Sequence, residues 1–63
     1  MFVCMFTGRA VEVGMTIAIA AMSGQEYVGE VTRIFETAIE IKRKYGTVFI
    51  PREGVKNIWI RSK

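Results

Sequence analysis

The apolar residues of this sequence are mostly β-branched, and leucine does not occur. Seven Val, eight Ile and five Thr together make up 20 of the 63 residues. β-branched side chains lose rotamer freedom in a helix but pack well on a pleated strand, and leucine is normally among the commonest residues of a globular protein. The composition therefore predicts an all-β fold and argues against a helical bundle.

The length of the chain allows one small domain, which we assign to residues 1–63. A chain of this size hides only about 60 % of the surface that its unfolded form exposes, so a single compact core is the most that it can form. Small domains without disulfides or bound metal often gain stability by association. The only cysteine is Cys4, so no disulfide can form within the chain, and a reducing, cytoplasmic location is expected.

Two residue types that carry much enzyme chemistry are missing, since the sequence contains neither Asp nor His. Their absence excludes a histidine base, a histidine-ligated metal and an aspartate-based Mg²⁺ or Ca²⁺ site. We therefore expect a binding or scaffolding protein, not an enzyme, with no catalytic residues, no cofactor and no metal. The longest strongly apolar run, 15–22, is far shorter than a membrane span, so no membrane partner is expected.

Short runs of strand length alternate with turn residues along the whole chain. The run 38–42 alternates most regularly, with Ile39 and Ile41 on one side and charged residues on the other. Gly29 is a natural place for a bend in a long strand, because a residue without Cβ tolerates close backbone approach. Strands are predicted over 15–22, 26–35, 38–42, 47–50 and 55–61, with a single 3₁₀-like turn at 52–54 and an extra N-terminal strand over 2–6 left open.

The inward side of these strands gives the predicted core. It consists of the apolar residues that share one phase of each alternation. They are Val13, Ile17, Ile19, Val31, Ile39, Ile41, Val48, Ile50, Val55, Ile58 and Ile60.

The order of strands and glycine turns resembles that of small SH3-like barrels, and most closely the Sm-like (Sm/Hfq-type) family. The residues that carry the resemblance lie between about 11 and 61. They are Val11-Glu12-Val13, Gly24 with Gln25-Glu26-Tyr27-Val28-Gly29, Val31 through Phe35, Ala38-Ile39-Glu40-Ile41, Gly46-Thr47-Val48, Ile50-Pro51, Val55 and Ile58. The resemblance implies an all-β, five-stranded SH3-like (Sm-like) barrel whose second strand is long and bent.

Membership of that family would imply homo-oligomeric rings that bind single-stranded RNA. In such rings the fourth strand of one subunit pairs with the fifth strand of the next, giving a hexamer or heptamer. Two loops, between strands two and three and between strands four and five, line the pore. By this resemblance the RNA-binding residues here are Glu36 and Thr37 in the first loop and Arg52 in the second.

The charges are unevenly placed, which independently suggests nucleic acid. Residues 1–32 hold one Arg against three Glu, whereas residues 33–63 hold eight Lys and Arg against three Glu. A basic half is expected of a nucleic-acid binder, although small domains also carry net charge for solubility. Lys42, Arg43 and Lys44 are predicted to contact the RNA backbone and Tyr45 to stack on a base, the alternative being a solvated hairpin tip.

Two aromatic residues, Phe49 and Trp59, fall on the faces opposite the core residues of their strands. An exposed apolar edge invites pairing with another chain. We therefore predict an oligomer interface that contains Phe49, Trp59 and their neighbours Val48 and Ile58. In the alternative arrangement, the N-terminal strand covers both aromatic side chains.

Three hypotheses for function follow from the sequence. The leading one is a homo-oligomeric ring, with itself and single-stranded RNA as partners. The second is a structural or protein-interaction barrel that assembles through its edge strands without nucleic acid. The third is DNA binding on the basic face of the sheet.

Overall fold

A computed structural model, which describes residues 2–3 and 8–62, contains a five-stranded antiparallel sheet. Two two-residue strands, β1 (Phe2–Val3) and β2 (Ala10–Val11), pair with each other ahead of it. The larger sheet consists of β3 (Thr16–Ala21), β4 (Glu26–Ile34), β5 (Ala38–Arg43), β6 (Gly46–Pro51) and β7 (Val55–Ser62), in the order β6-β5-β4-β3-β7. A 3₁₀ turn, Arg52–Gly54, joins β6 to β7. The prediction of an all-β fold is confirmed.

The predicted strand boundaries agree with the observed ones to within one or two residues, because alternation of period two persists along each strand. The single turn at 52–54 is confirmed as a 3₁₀ turn. Of the segment 2–6, the structure describes only Phe2–Val3 as a strand, and residues 4–6, with Cys4, lie outside the described residues.

Strand β4 changes its partner midway, and this determines the shape of the sheet. Its first half pairs with β3 from Glu26 to Glu30, whereas its second half pairs with β5 from Glu30 to Ile34. Gly29 lies next to the change, and a Cβ at this position would collide with the carbonyl oxygen of Lys42. The close backbone approach that the sequence predicted for Gly29 is thus confirmed, since only glycine allows it.

The core is a cluster of nine Val and Ile side chains contributed by β2 and all five strands of the larger sheet. Each is at most 3 % exposed. They are Val11, Ile17, Ile19, Val31, Ile39, Ile41, Ile50, Val55 and Ile58. The prediction is confirmed for eight of these residues, and the predicted Val48 and Ile60 are partly buried against the cluster.

Val13 is the one predicted core residue that the structure places outside, and Val11 replaces it. Val13 is 62 % exposed, whereas Val11 is fully buried. Strand β2 ends at Val11, and the amide of Met15 donates to the Glu12 carbonyl oxygen at 3.2 Å, closing a turn in which Gly14 has φ 97°. The turn interrupts the alternation on which the prediction rested.

Helices play almost no part in this fold. Within residues 2–3 and 8–62, no helix has the length and apolar character that a membrane crossing needs.

Candidate nucleic-acid interface

The structure separates the predicted RNA-binding residues into two clusters at opposite ends of β5. Glu36 and Thr37 precede the strand and lie beside Arg52, while Lys44 and Tyr45 follow it in the β5–β6 hairpin. A six-residue strand spans roughly 20 Å. The two clusters therefore form two distinct surfaces, which we call the loop cluster and the hairpin cluster.

In the loop cluster, Arg52 is held by backbone carbonyl groups. Its amide donates to the Thr37 carbonyl oxygen at 2.7 Å, and its side-chain Nε donates to the Glu36 carbonyl oxygen at 3.1 Å. Its Nη1 donates to the carbonyl oxygen of Val3. Arg52 thus links β1, the loop before β5 and the 3₁₀ turn. The three predicted loop residues lie close together, as the sequence predicted. The Arg52 guanidinium, however, has a structural role, because it donates to backbone carbonyl groups.

The hairpin cluster presents cations and aromatic rings together at the surface. Tyr45 is 92 % exposed, and the Lys44 ammonium lies 5.5 Å from the centre of its ring. The Arg43 guanidinium lies 5.0 Å from the centre of the Tyr27 ring. Both distances are within the range of cation–π attraction. Lys42 is exposed on β5, opposite Thr47 of β6.

A surface groove of about 410 Å³ lies beside the hairpin cluster. The β4–β5 ladder ends at the pair Glu30–Lys42, and β4 then continues paired only with β3. The first half of β4 and the hairpin tip therefore flank an opening. The groove is lined by Glu26, Val28, Arg43, Lys44, Tyr45, Gly46 and Thr47.

Sequence reasoning identified the cationic and aromatic side of this groove but not its β4 side. Glu26, Val28 and Thr47 were not predicted as site residues. No local sequence pattern marks these three residues, because their place in the groove depends on where the β4–β5 ladder ends. Glu26 and Val28 alternate outward on β4, which was the only available signal.

The predicted interface residues lie on β6 and β7, the two edges of the five-stranded sheet. Phe49 is 59 % exposed, with its ring centre 5.9 Å from that of Phe35, and Trp59 is 42 % exposed. Val48 is half-buried. The Ile58 side chain is fully buried in the core, so only its backbone lies at the β7 edge.

Trp59 forms part of an apolar row across three strands. Ala18 of β3 pairs with Trp59 on one side and with Val28 of β4 on the other. Directly paired residues point to the same face of a sheet. Ala18 lies on the outer face but is only 6 % exposed, because its larger neighbours Val28 and Trp59 flank it. The side chains of Val28 and Trp59 themselves remain exposed.

A second, apolar groove of about 230 Å³ lies beside Phe49. It separates β6 from the β3–β4 turn, where Met22 is also exposed. The Met22 amide donates to the Gly54 carbonyl oxygen at 2.8 Å, which joins this turn to the 3₁₀ turn after β6. Exposed apolar surface is therefore concentrated near both edge strands.

The chain matches no protein-family model, no curated protein and no solved structure. Among the described residues, no three His, Cys, Asp or Glu side chains are grouped in a way that could hold a metal ion. Its functional assignment therefore rests on the two edge strands and the hairpin cluster.

Proposed function

We propose that this chain is an Sm-like protein that assembles into a homo-oligomeric ring and binds single-stranded RNA. The observation that carries the proposal is the pair of edge strands, each with an exposed aromatic side chain: Phe49 on β6 and Trp59 on β7. Within the described part of the chain, each of these strands has a partner on one side only.

We further propose that the sheet closes into a small SH3-like barrel. The long strand β4, which changes partner at Glu30 and approaches the Lys42 carbonyl closely at Gly29, supports this closure. So does the fully buried cluster between the strands, which draws on every strand of the sheet. The hydrogen bond from Met22 to Gly54 joins the β3–β4 turn to the 3₁₀ turn that precedes β7, next to the ladder pair Ala21–Val55.

Assembly through β6 and β7 would give the edge backbone groups partners and cover the neighbouring apolar side chains. An edge strand with free N–H and C=O groups is a template for pairing with another chain. A 63-residue domain also has limited core, so the added burial would stabilise it. Because β6 and β7 are different strands, a β6-to-β7 contact is head-to-tail, and such contacts close into rings when the rotation allows.

The basic half of the chain supports RNA as the ligand. Lys42, Arg43 and Lys44 neutralise phosphates, and the exposed Tyr45 offers a face on which an unpaired base can stack. Repeating this cluster around a ring multiplies the contacts with one strand, which raises the overall affinity.

The loop cluster favours the second candidate, assembly without nucleic acid. Arg52 is the cation that the family resemblance places at the pore, yet its side chain donates to the backbone of Glu36 and Val3. A ring whose pore arginine serves the fold could act as a scaffold alone.

RNA binding is tested by fluorescence anisotropy with labelled uridine dodecamers between about 50 and 200 mM salt. The double variant R43Q/K44Q is compared with K56Q/R61Q, which removes the same two residue types from β7. We expect R43Q/K44Q to lose at least about tenfold in affinity and to reduce the slope of log K against log salt by about 1.4, because two contacts with phosphate disappear. The control variant should stay within about threefold of wild type.

Absence of binding by the wild-type chain at low salt would contradict RNA as the ligand. An assembled ring that binds neither RNA nor single-stranded DNA would support the scaffold. Equal losses in the two double variants would show that binding depends on net charge, not on the hairpin cluster.

A further inference from the structure

We infer that the groove beside the hairpin cluster is a guanine-selective site for single-stranded RNA, with Glu26 as the residue that reads the base. This inference rests on the proposed RNA binding and adds to it a base preference, a site on the outside of the sheet and a carboxylate with a defined role.

The groove has the size and the walls that a nucleotide requires. Its volume of about 410 Å³ falls within the range of roughly 300–1,000 Å³ that is usual for small-ligand sites. Val28 supplies an apolar surface, while the side chains of Thr47 and Glu26 supply polar groups. Its position where β4 departs from β5 keeps it accessible to a strand that passes over the sheet.

One side of the groove suits the parts that all nucleotides share. Arg43 and Lys44 both line the groove and carry positive charges that attract phosphate, and Tyr45 exposes nearly its whole ring beside them. Stacking on a tyrosine ring is tolerant of sequence because every base has a π-face. These three residues account for binding of any single strand but not for a preference among bases.

Glu26 is the residue on the opposite side that does not fit a simple phosphate site. An ionised carboxylate repels phosphate and accepts hydrogen bonds but cannot donate them. Among the described residues, the one salt bridge joins Arg33 to Glu40. Glu26 therefore forms no salt bridge with Arg43 or Lys44, although all three line the groove. A carboxylate that lines a cationic, aromatic groove calls for a ligand edge rich in donors.

Guanine is the base whose Watson–Crick edge best matches a carboxylate. Its N1–H and N2–H donors lie side by side, so the two carboxylate oxygens can accept one hydrogen bond each, as in other bidentate pairs. Uracil offers one donor between two carbonyl oxygens, and adenine and cytosine each place a donor beside a ring nitrogen acceptor. In these three bases an acceptor faces the carboxylate and repels it.

The test measures anisotropy with four labelled RNA dodecamers: oligouridine and alternating U-G, U-A and U-C. We expect wild-type protein to bind the U-G strand at least about tenfold more tightly than the other three, since each tenfold step corresponds to the energy of one good charged hydrogen bond. The variant E26Q should reduce this preference to less than about threefold. Y45A should weaken all four strands by a similar factor, because stacking does not distinguish bases.

The matched control is E30Q. Glu30 is exposed on the same outward face of β4, four residues beyond Glu26, and does not line the groove. Both variants remove one negative charge and so reduce the general repulsion of phosphate to the same extent, but only E26Q removes the carboxylate that is proposed to accept from guanine and should abolish the preference for it.

Equal wild-type affinity for the four strands would overturn the guanine assignment and leave the proposed RNA binding intact. The same holds if E26Q keeps the preference for U-G. Failure of the wild-type chain to bind any of the four RNAs at low salt would overturn both the assignment and the proposed function.

Discussion

At the scale of single residues, the difference between Val11 and Val13 shows how far alternation predicts burial. Both are Val, two positions apart, and a continuous strand would place them on one face. The turn closed between Glu12 and Met15 ends the strand first, so Val11 enters the core and Val13 lies on the surface.

Truncation of each valine to alanine tests this assignment. V11A should lower the free energy of unfolding by about 2 kcal/mol, because it removes two buried methyl groups and leaves a cavity. V13A should change it by less than about 0.5 kcal/mol, as is usual at exposed positions. Urea unfolding followed by Trp59 fluorescence measures both, and equal losses would show that Val13 is buried in solution.

Arg52 illustrates what residue-level reasoning on a sequence cannot supply. Its type and its place in the second loop suggested a ligand contact, and the structure instead gives its side chain two backbone carbonyl partners. One of these partners, Val3, is 49 positions away in the chain. No local pattern could have indicated this contact.

At the scale of strands and loops, most of the fold followed from local signals. Period-two alternation located five strands, Gly29 marked a close backbone approach, and the sequence after Pro51 indicated the 3₁₀ turn. The hairpin groove did not follow, because it results from the end of the β4–β5 ladder at Glu30. The site was therefore predictable on its hairpin side, where its residues are contiguous, and not on its β4 side.

The edge strands give a prediction of their own. F49E and W59E should each convert the proposed ring to smaller species, because a carboxylate buried at a strand-to-strand contact without a partner is strongly unfavourable. Light scattering on the purified variants measures the loss. K56Q, which makes the same unit change in charge on β7, should retain the wild-type mass.

Unchanged mass in both F49E and W59E, with native circular dichroism, would place the subunit contact elsewhere. Loss of mass in K56Q to the same extent would attribute the effect to net charge, not to the aromatic side chains.

At the scale of the whole molecule, the absence of leucine and the abundance of β-branched residues give this small domain a core made of Val and Ile side chains. The core contains nine buried Val and Ile side chains, and the Cα radius of gyration is 10.0 Å. A core of this size leaves little margin of stability, and the exposed aromatic residues on the edge strands offer a way to bury more surface. In the proposed ring, assembly would therefore contribute to stability as well as to function.

The proposed function depends on assembly into a ring, so the decisive measurement is the mass of the wild-type chain in solution. Size-exclusion chromatography with multi-angle light scattering at micromolar concentration should give six or seven times the 7.1 kDa mass of the chain. A mass of 7.1 kDa that persists as the protein concentration is raised would contradict ring assembly.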